Sequence, residues 1–416
     1  MTGPGNRRPE GWVRRPHGWV RHYAGLMGPA GRSAARALMG DKRPERIAGV
    51  RTALVRRRDP HHPTQRALVA APGGQLRWRA VPAPSRSGPL GAVVHPIAVA
   101  TCDMDRPIML ATTPFPLPLQ LGHECVAEIV EVGAEVRTVR AGQRVVVPFQ
   151  INCGTCAPCR GGNTGNCTGV PALSMYGFGV AGGPWGGAIT DLVAVPFADA
   201  MLVPLPDQLD AVAAASVADN VSDAYRHVGP YLPTLLAQDL STRVLILGGL
   251  EKRPELTTSM SLYTGLIARA LGARHVDVVD SRPDVRALAE RLGLRPVAPG
   301  DVGQVEPAPL VVDATGTGAG LVAALRHTAP DGRCSSVGGL HARVKLPYLE
   351  AYLRNVTIHI GHSHARAIIP EVLALMVDGR LRPELVTTQV AAIEDAVPAL
   401  DQHCRDGAIK TILTAS

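Results

Sequence analysis

At 416 residues the chain is long enough for two or three domains with cores of their own, and 46% of it is apolar. No apolar run approaches the roughly 18 residues of a membrane span, and the first residues lack the continuous apolar stretch of a secretory leader. The expectation is a cytoplasmic protein with no membrane partner. A formal charge of +8 would suit a nucleic-acid partner, but its distribution argues against one.

The excess lies at the start. Residues 1–58 hold 14 Lys and Arg against Glu10, Asp41 and Glu45, a charge of +11, which leaves the rest of the chain at −3. Rich in Gly, Pro and Arg, with GWVR at both 11–14 and 18–21, residues 1–60 read as a basic, flexible extension. An Arg-rich arm could hold a polyanion; the body after it is mildly acidic.

Next come scattered metal-ligand types: Cys102 in VATCDMDRPI, then His123 and Glu124 in LGHECVAEIVEVG. Further on, CGTCAPCRGGNTGNC places Cys153, Cys156, Cys159 and Cys167 at C-x2-C-x2-C-x7-C. In a cytosolic chain that spacing points to a metal before disulfides. A bacterial iron–sulfur run would continue x3-C-P, whereas here the gap is seven and no proline follows. A zinc ribbon would split its ligands into two distant pairs. The reading is a closed structural zinc site that staples a loop and takes no part in catalysis. Asp219 follows in ASVADNVSDAYRHV. A thiolate, an imidazole and a carboxylate would leave zinc one open position, as Lewis-acid catalysis needs. Taken singly, however, Cys102 could be a buried thiol, His123 a satisfied histidine and Asp219 a helix cap.

RVLILGG predicts a strand ending in Gly248 and Gly249, SLYTGLIARALGA a helix closed by Gly272, and HVDVVD a second strand ending on Asp280. Strand, turn, helix, strand and acid make the mononucleotide unit of a doubly wound sheet. The glycine fingerprint is broken: Leu250–Thr258 read as an insertion, and Ser261 stands where the closing glycine belongs. Asp280 would bind the adenosine ribose hydroxyls and repel a 2′-phosphate, favouring NAD, with Arg282 keeping NADP possible. PLVVDATGTG at 309–318 and GRCSSVGG at 332–339 supply two more strand-then-loop units, and HARAIIPEVLALMVDGRL a helix ending near Gly379.

In this order and at these separations, from about Ala67 onward, the chain resembles the zinc-containing medium-chain alcohol dehydrogenase family. The likeness rests on a Cys with an acid at +3, Gly-His-Glu, the four-cysteine lobe, a ligand before an x-x-x-Ala-Tyr helix, Val132-Gly133 before Gly142-Gln143-Arg144-Val145, and the closing AIKTIL. The resemblance implies an α/β fold, with a chaperonin-10-like β-barrel catalytic domain at 61–219 carrying the structural zinc lobe (153–167). It also implies a doubly wound (Rossmann) cofactor domain at 220–360 and a segment, 361–416, returning to the catalytic domain. Cys102, His123 and Asp219 would bind a catalytic zinc, Glu124 would approach it during ligand exchange, and Asp105 would accept a hydrogen bond from His123. Gly248, Gly249, Ser261 and Asp280 would hold the cofactor, with Lys410 touching its pyrophosphate.

The implied activity is hydride transfer between NAD(H) and a small alcohol or carbonyl compound, with two zinc ions per chain, in a homodimer or homotetramer. Two residues depart from the pattern. Met104 stands where a proton-relaying Ser or Thr is common, and Pro107 where a relay histidine often lies; water or Glu124 would then move the proton. The damaged turn and Met104 leave a second reading, a zinc-binding member with no turnover or with imine or alkene reduction as its chemistry.

Overall fold

The computed structural model describes residues 63–415, apart from 85–87, 113–114, 116, 179–184, 252–258, 339–343 and 407. The basic extension 1–60 and most of the inserted stretch Leu250–Thr258 lie outside the described residues.

The N-terminal body is built on antiparallel strands: β1 (Thr64–Ala71), β2 (Gln75–Pro82), β3 (Ala92–Ala100), β4 (Leu119–Gln120), β5 (Glu124–Val132), β6 (Arg144–Val147), β7 (Val193–Val195) and β8 (Val203–Pro204). A three-stranded sheet runs β2-β1-β4. A seven-stranded sheet runs β15-β16-β3-β5-β6-β8, with β7 also on β3 and with β15 (Gln389–Ala392) and β16 (Thr411–Thr414) arriving from the far end of the chain. Strand β3, AVVHPIAVA, is buried almost throughout because both of its faces are covered. Its Pro96 cannot donate to a ladder, and the register with β5 shifts beside it. Leu68, Val94, Val99, Leu121, Ile129 and Val147 form the core of this body.

The second body is a six-stranded, wholly parallel sheet in the order β11-β10-β9-β12-β13-β14. Its strands are β9 (Arg243–Gly249), β10 (His275–Asp280), β11 (Arg295–Val297), β12 (Ala308–Asp313), β13 (Thr328–Ser336) and β14 (Thr357–Ile360). Numbered from β9 this is 3-2-1-4-5-6, the doubly wound order whose ligand crevice opens between the first and fourth strands. Val244, Leu245, Ile246 and Leu247 of β9 are fully buried. A strand covered on both faces reads as a continuous apolar run, and each such side chain contributes about 1.5–3 kcal/mol on burial.

The helix Ser259–Ala270 follows β9 and is buried along nearly its whole length. It stops as the sequence predicts. Gly272 takes φ +106°, its N–H reaches Arg269 O at 2.9 Å, and Ala273 N reaches Ala268 O at 3.0 Å, the two bonds of a glycine-terminated helix end. The helix Ala365–Val377 ends the same way at Gly379, φ +69°.

One apolar cluster crosses both bodies, joining Val126 and Val146 of the barrel strands to Val221, Ile246, Tyr263 and Val372. The residues that carry the chemistry lie at this junction. Among the described residues no helix is long and apolar enough to cross a membrane.

Candidate metal centre and cofactor edge

Cys102 stands just beyond β3 on a loop clamped from two sides. Thr101 N bonds to Thr411 O at 2.9 Å and Thr411 N to Thr101 Oγ1 at 3.0 Å, so the last strand fixes the loop's base. Asp105 Oδ2 accepts from Cys102 N at 2.8 Å. His123 enters from the other side, between Gly122 and β5. Gly122 has φ +89°, and a Cβ there would lie 2.6 Å from Ile189 N, so only glycine makes this turn. Asp219 joins the short turn Ala215–Ala218 to the helix Asn220–Val228. Its side chain caps no backbone N–H of that helix; the carboxylate turns instead toward His123, with Oδ2 3.4 Å from Nε2.

Four residues spread over more than a hundred positions thus converge. The ligand atoms of Cys102, His123, Glu124 and Asp219 all lie within 4.8 Å of one another, and all four residues are buried. Both ring nitrogens of His123 and Glu124 Oε1 have no hydrogen-bond partner. Buried polar atoms left this way are costly, and a divalent cation among them would satisfy the set with the S, N and O donors zinc takes.

The electrostatics agree. Burial pushes the Cys102 thiol well up, helped by the charges of Asp219, Glu124 and Asp105. Burial raises Glu124 to about 8 even though Lys410 opposes the shift. For His123 burial alone works downward, but Asp105, Asp219 and Glu124 together outweigh it and raise the imidazole. A site that raises its thiol and carboxyl and also raises its imidazole is short of positive charge.

Asp105 lies 3.8 Å from His123 Nδ1. That is a charge contact, longer than the expected hydrogen bond; Asp105 Oδ2 serves the Cys102 backbone and Oδ1 is left without a hydrogen-bond partner. Phe178 packs on the His123 ring at 4.6 Å between centroids, with Phe149 at 6.0 Å and Phe115 5.5 Å from Phe178. Three of the chain's four phenylalanines therefore make the dry wall of this centre.

The four-cysteine lobe is the second metal constellation. Its sulfurs also lie within 4.8 Å of one another, and none of the four is in a disulfide. Cys156 and Cys167 Sγ are 3.8 Å apart. Four sulfurs about 2.3 Å from a tetrahedral zinc would be separated by about 3.8 Å. Backbone donors converge on the thiols: Thr168 N on Cys156 Sγ at 3.4 Å, and Cys153 N and Gly169 N on Cys167 Sγ at 3.3 Å each. Hydrogen bonds from Cys159 and Thr168 lower Cys156 to about 5.

At the cofactor edge, Gly248, Ser261 and Asp280 meet. A Cβ on Gly248 would lie 2.8 Å from Ser261 Oγ and 3.0 Å from Asp280 Oδ2, so this glycine lets strand, helix and acid close on one another. Gly249 lies beside the same carboxylate. Asp280 closes β10 as expected, but Arg282 already grips it, with Nε to Oδ1 at 3.1 Å and Nη2 to Oδ2 at 3.3 Å.

Lys410 corrects an expectation. Read from the sequence as a pyrophosphate contact, it is fully buried and donates to Glu124 Oε2 at 2.8 Å and Asn220 Oδ1 at 2.9 Å. A buried ammonium needs a counterion at close range, and Glu124 provides it.

The sequence reading also missed two residues. Asn220 donates to Cys102 Sγ at 3.2 Å while accepting from Lys410. Asp103 reaches across to the start of the helix Ser259–Ala270. Their adjacency to Asp219 and Cys102 was the only sequence signal for either.

Residues 88–207 match the family model of the alcohol dehydrogenase GroES-like domain, and residues 260–378 match that of the zinc-binding dehydrogenases. Fold and site together define an oxidoreductase of the dehydrogenase class. A probable zinc-binding alcohol dehydrogenase of Mycobacterium tuberculosis is 29% identical over 341 residues, 80% of this chain and 83% of that protein. The medium chain reductase/dehydrogenase ucsI of Acremonium sp. is 30% identical over 243 residues, 56% of this chain and 78% of that protein. Among solved structures, the alcohol dehydrogenase TADH from Thermus sp. ATN1 superposes with a TM-score of 0.74 at 29% identity, covering 84% of this chain and 100% of its own. The chain belongs to the zinc-binding medium-chain dehydrogenase family, with its GroES-like barrel and parallel-sheet domain.

Proposed function

We propose that the protein moves a hydride between NAD(H) and an alcohol or carbonyl compound at a zinc held by Cys102, His123 and Asp219, with a second, structural zinc on Cys153, Cys156, Cys159 and Cys167. The observation that carries this reading is the buried convergence of Cys102, His123, Glu124 and Asp219 at the junction of barrel and parallel sheet. The names of the relatives, alcohol dehydrogenases among them, point the same way.

When bound there, zinc supplies Lewis acidity toward a substrate oxygen. The chain's own residues do the rest. Asn220 N–H and the Met104 backbone N–H point at Cys102 Sγ, at 3.2 and 3.5 Å, and steady it as a thiolate. Lys410 holds Glu124 beside the ligand atoms, where its free Oε1 can take a proton that Met104 cannot. The phenylalanine wall keeps water from the His123 side and favours an apolar substituent on the substrate.

On the cofactor side, Asp280 at the end of β10 fits a ribose of an adenine dinucleotide, and its carboxylate favours NAD over NADP. The helix start where a pyrophosphate would lie is met by the carboxylate of Asp103.

Asp219→Ala tests the assignment. Metal content should fall from two ions per chain to one and turnover should vanish, while the cysteine lobe keeps its metal. Loss of both ions, or retention of both, contradicts the division of sites. A panel of alcohols and aldehydes with NADH and NADPH then names the substrate class.

A further inference from the structure

In a doubly wound fold the helix after the first strand offers its N-terminal N–H groups and the positive end of its dipole to a phosphate. Here the described part of that helix opens at Ser259, and its first two N–H groups are already engaged. Ser259 N and Oγ lie 3.1 and 2.5 Å from Asp103 Oδ1, and Met260 N lies 3.1 Å from Asp103 Oδ2. Both oxygens of one carboxylate are used, in charge-assisted bonds of the stronger kind. Asp103 belongs to the other body of the molecule, 156 positions away, and directly follows Cys102.

We infer that Asp103 is an internal anion occupying the pyrophosphate position of the cofactor site, so that a dinucleotide binds only by displacing it. The inference rests on the reading that this sheet carries a dinucleotide. Three features support it. The bonds reproduce what a phosphate oxygen would make with the same N–H groups. The carboxylate and a phosphate are both negative, so they cannot share these donors without close repulsion. And Lys410, the cation expected to offset a pyrophosphate, is committed to Glu124. The block is selective: it opposes the phosphates and leaves the adenosine end, at Gly248 and Asp280, untouched. The protein would therefore bind cofactor weakly when free and exchange one anion for another as it loads.

The test compares the full chain with Asp103→Asn, which keeps the shape and a neutral cap, and with Asp103→Ser. Dissociation constants are measured for NADH, ADP-ribose and adenosine, with zinc content and thermal melting as the check on folding. Removing the charge should tighten NADH and ADP-ribose by about tenfold or more and leave adenosine unchanged. Equal or weaker NADH binding by the variants overturns the inference and leaves the dehydrogenase reading standing. Absence of NADH and adenosine binding in every protein overturns both.

A second measurement needs no substitution. In the unaltered chain, saturating ADP-ribose should speed hydrogen exchange at residues 103–110, because the tether is released. Unchanged exchange at full occupancy also overturns the inference.

Discussion

The two metal constellations of this molecule are built on opposite plans. The lobe takes its four thiols from fifteen consecutive positions, Cys153 to Cys167, close to the surface; backbone N–H groups lower Cys156, while burial raises Cys159 and Cys167. The junction centre takes a thiol, an imidazole and two carboxyls from three distant segments, all buried, and pushes Cys102 toward its neutral form. A site that only staples a loop can be local and wet at its edge. A site that is to polarise a substrate needs donors of different kinds, one position left open and a low dielectric, and only tertiary structure assembles these.

The sharpest way to break this contrast is to damage each site in turn. His123→Ala should lower turnover by about 10⁴-fold, near 5.5 kcal/mol of transition-state stabilisation, with the melting temperature little changed. Cys159→Ser in the lobe should do the reverse, lowering the melting temperature and exposing the 153–167 loop to protease while folded molecules keep most of their turnover. Steady-state kinetics and calorimetry on the two variants decide it; a lobe variant that folds as well as the parent yet loses turnover would erase the division of labour.

The same contrast explains what could be read in the amino acids. The lobe was legible outright, because spacing within fifteen residues carries its geometry. The parallel sheet was legible from RVLILGG, HVDVVD and PLVVD, each a buried apolar run, and the helix ends from Gly272 and Gly379. At the junction, His123 and Asp219 were candidates only through the resemblance to a family pattern, since nothing in 95 intervening positions says that they touch. Lys410 was misread because its partner, Glu124, is 286 positions away. Asn220 and Asp103 were passed over because each does its work across a body-to-body contact that no local periodicity encodes.

Lys410 gives the next test in size. Lys410→Met leaves Glu124 buried without its cation, a loss of about 3 kcal/mol or more when one partner of a buried pair is removed. The penalty should be greatest in chelator-treated protein and shrink when zinc is returned, because the ion would supply the missing positive charge. Denaturant melts with and without metal would show it. Equal penalties in both states would mean that Lys410 serves the fold alone and not the centre.

The smallest effect lies behind the centre, on the helix Ala396–Asp406, which packs on the strand that clamps the Cys102 loop. His403 is fully buried with Nδ1 2.9 Å from Thr411 Oγ1, and Thr411 in turn holds Thr101. The hydroxyl of Thr411 is directed to Gln389 Oε1 at 2.9 Å, so the imidazole is the donor to Thr411. Burial, with Arg106 and Lys410 nearby, lowers His403 to about 4 from an ordinary 6.5. The folded chain therefore keeps this ring neutral where the unfolded chain protonates it. Its contribution is whole above pH 6.5 and is lost as the pH falls from there toward 4, amounting to about 1.4 kcal/mol by pH 5.5. His403→Gln, neutral at every pH, should remove that part of the acid sensitivity, so the stability curves of parent and variant should converge as the pH is lowered from 7 to 5.5. The cysteine lobe should hold its metal over the same interval in both proteins. Parallel stability curves would mean that the back wall of the centre is wetter than its burial shows, and the difference in dielectric between the two sites would be correspondingly smaller.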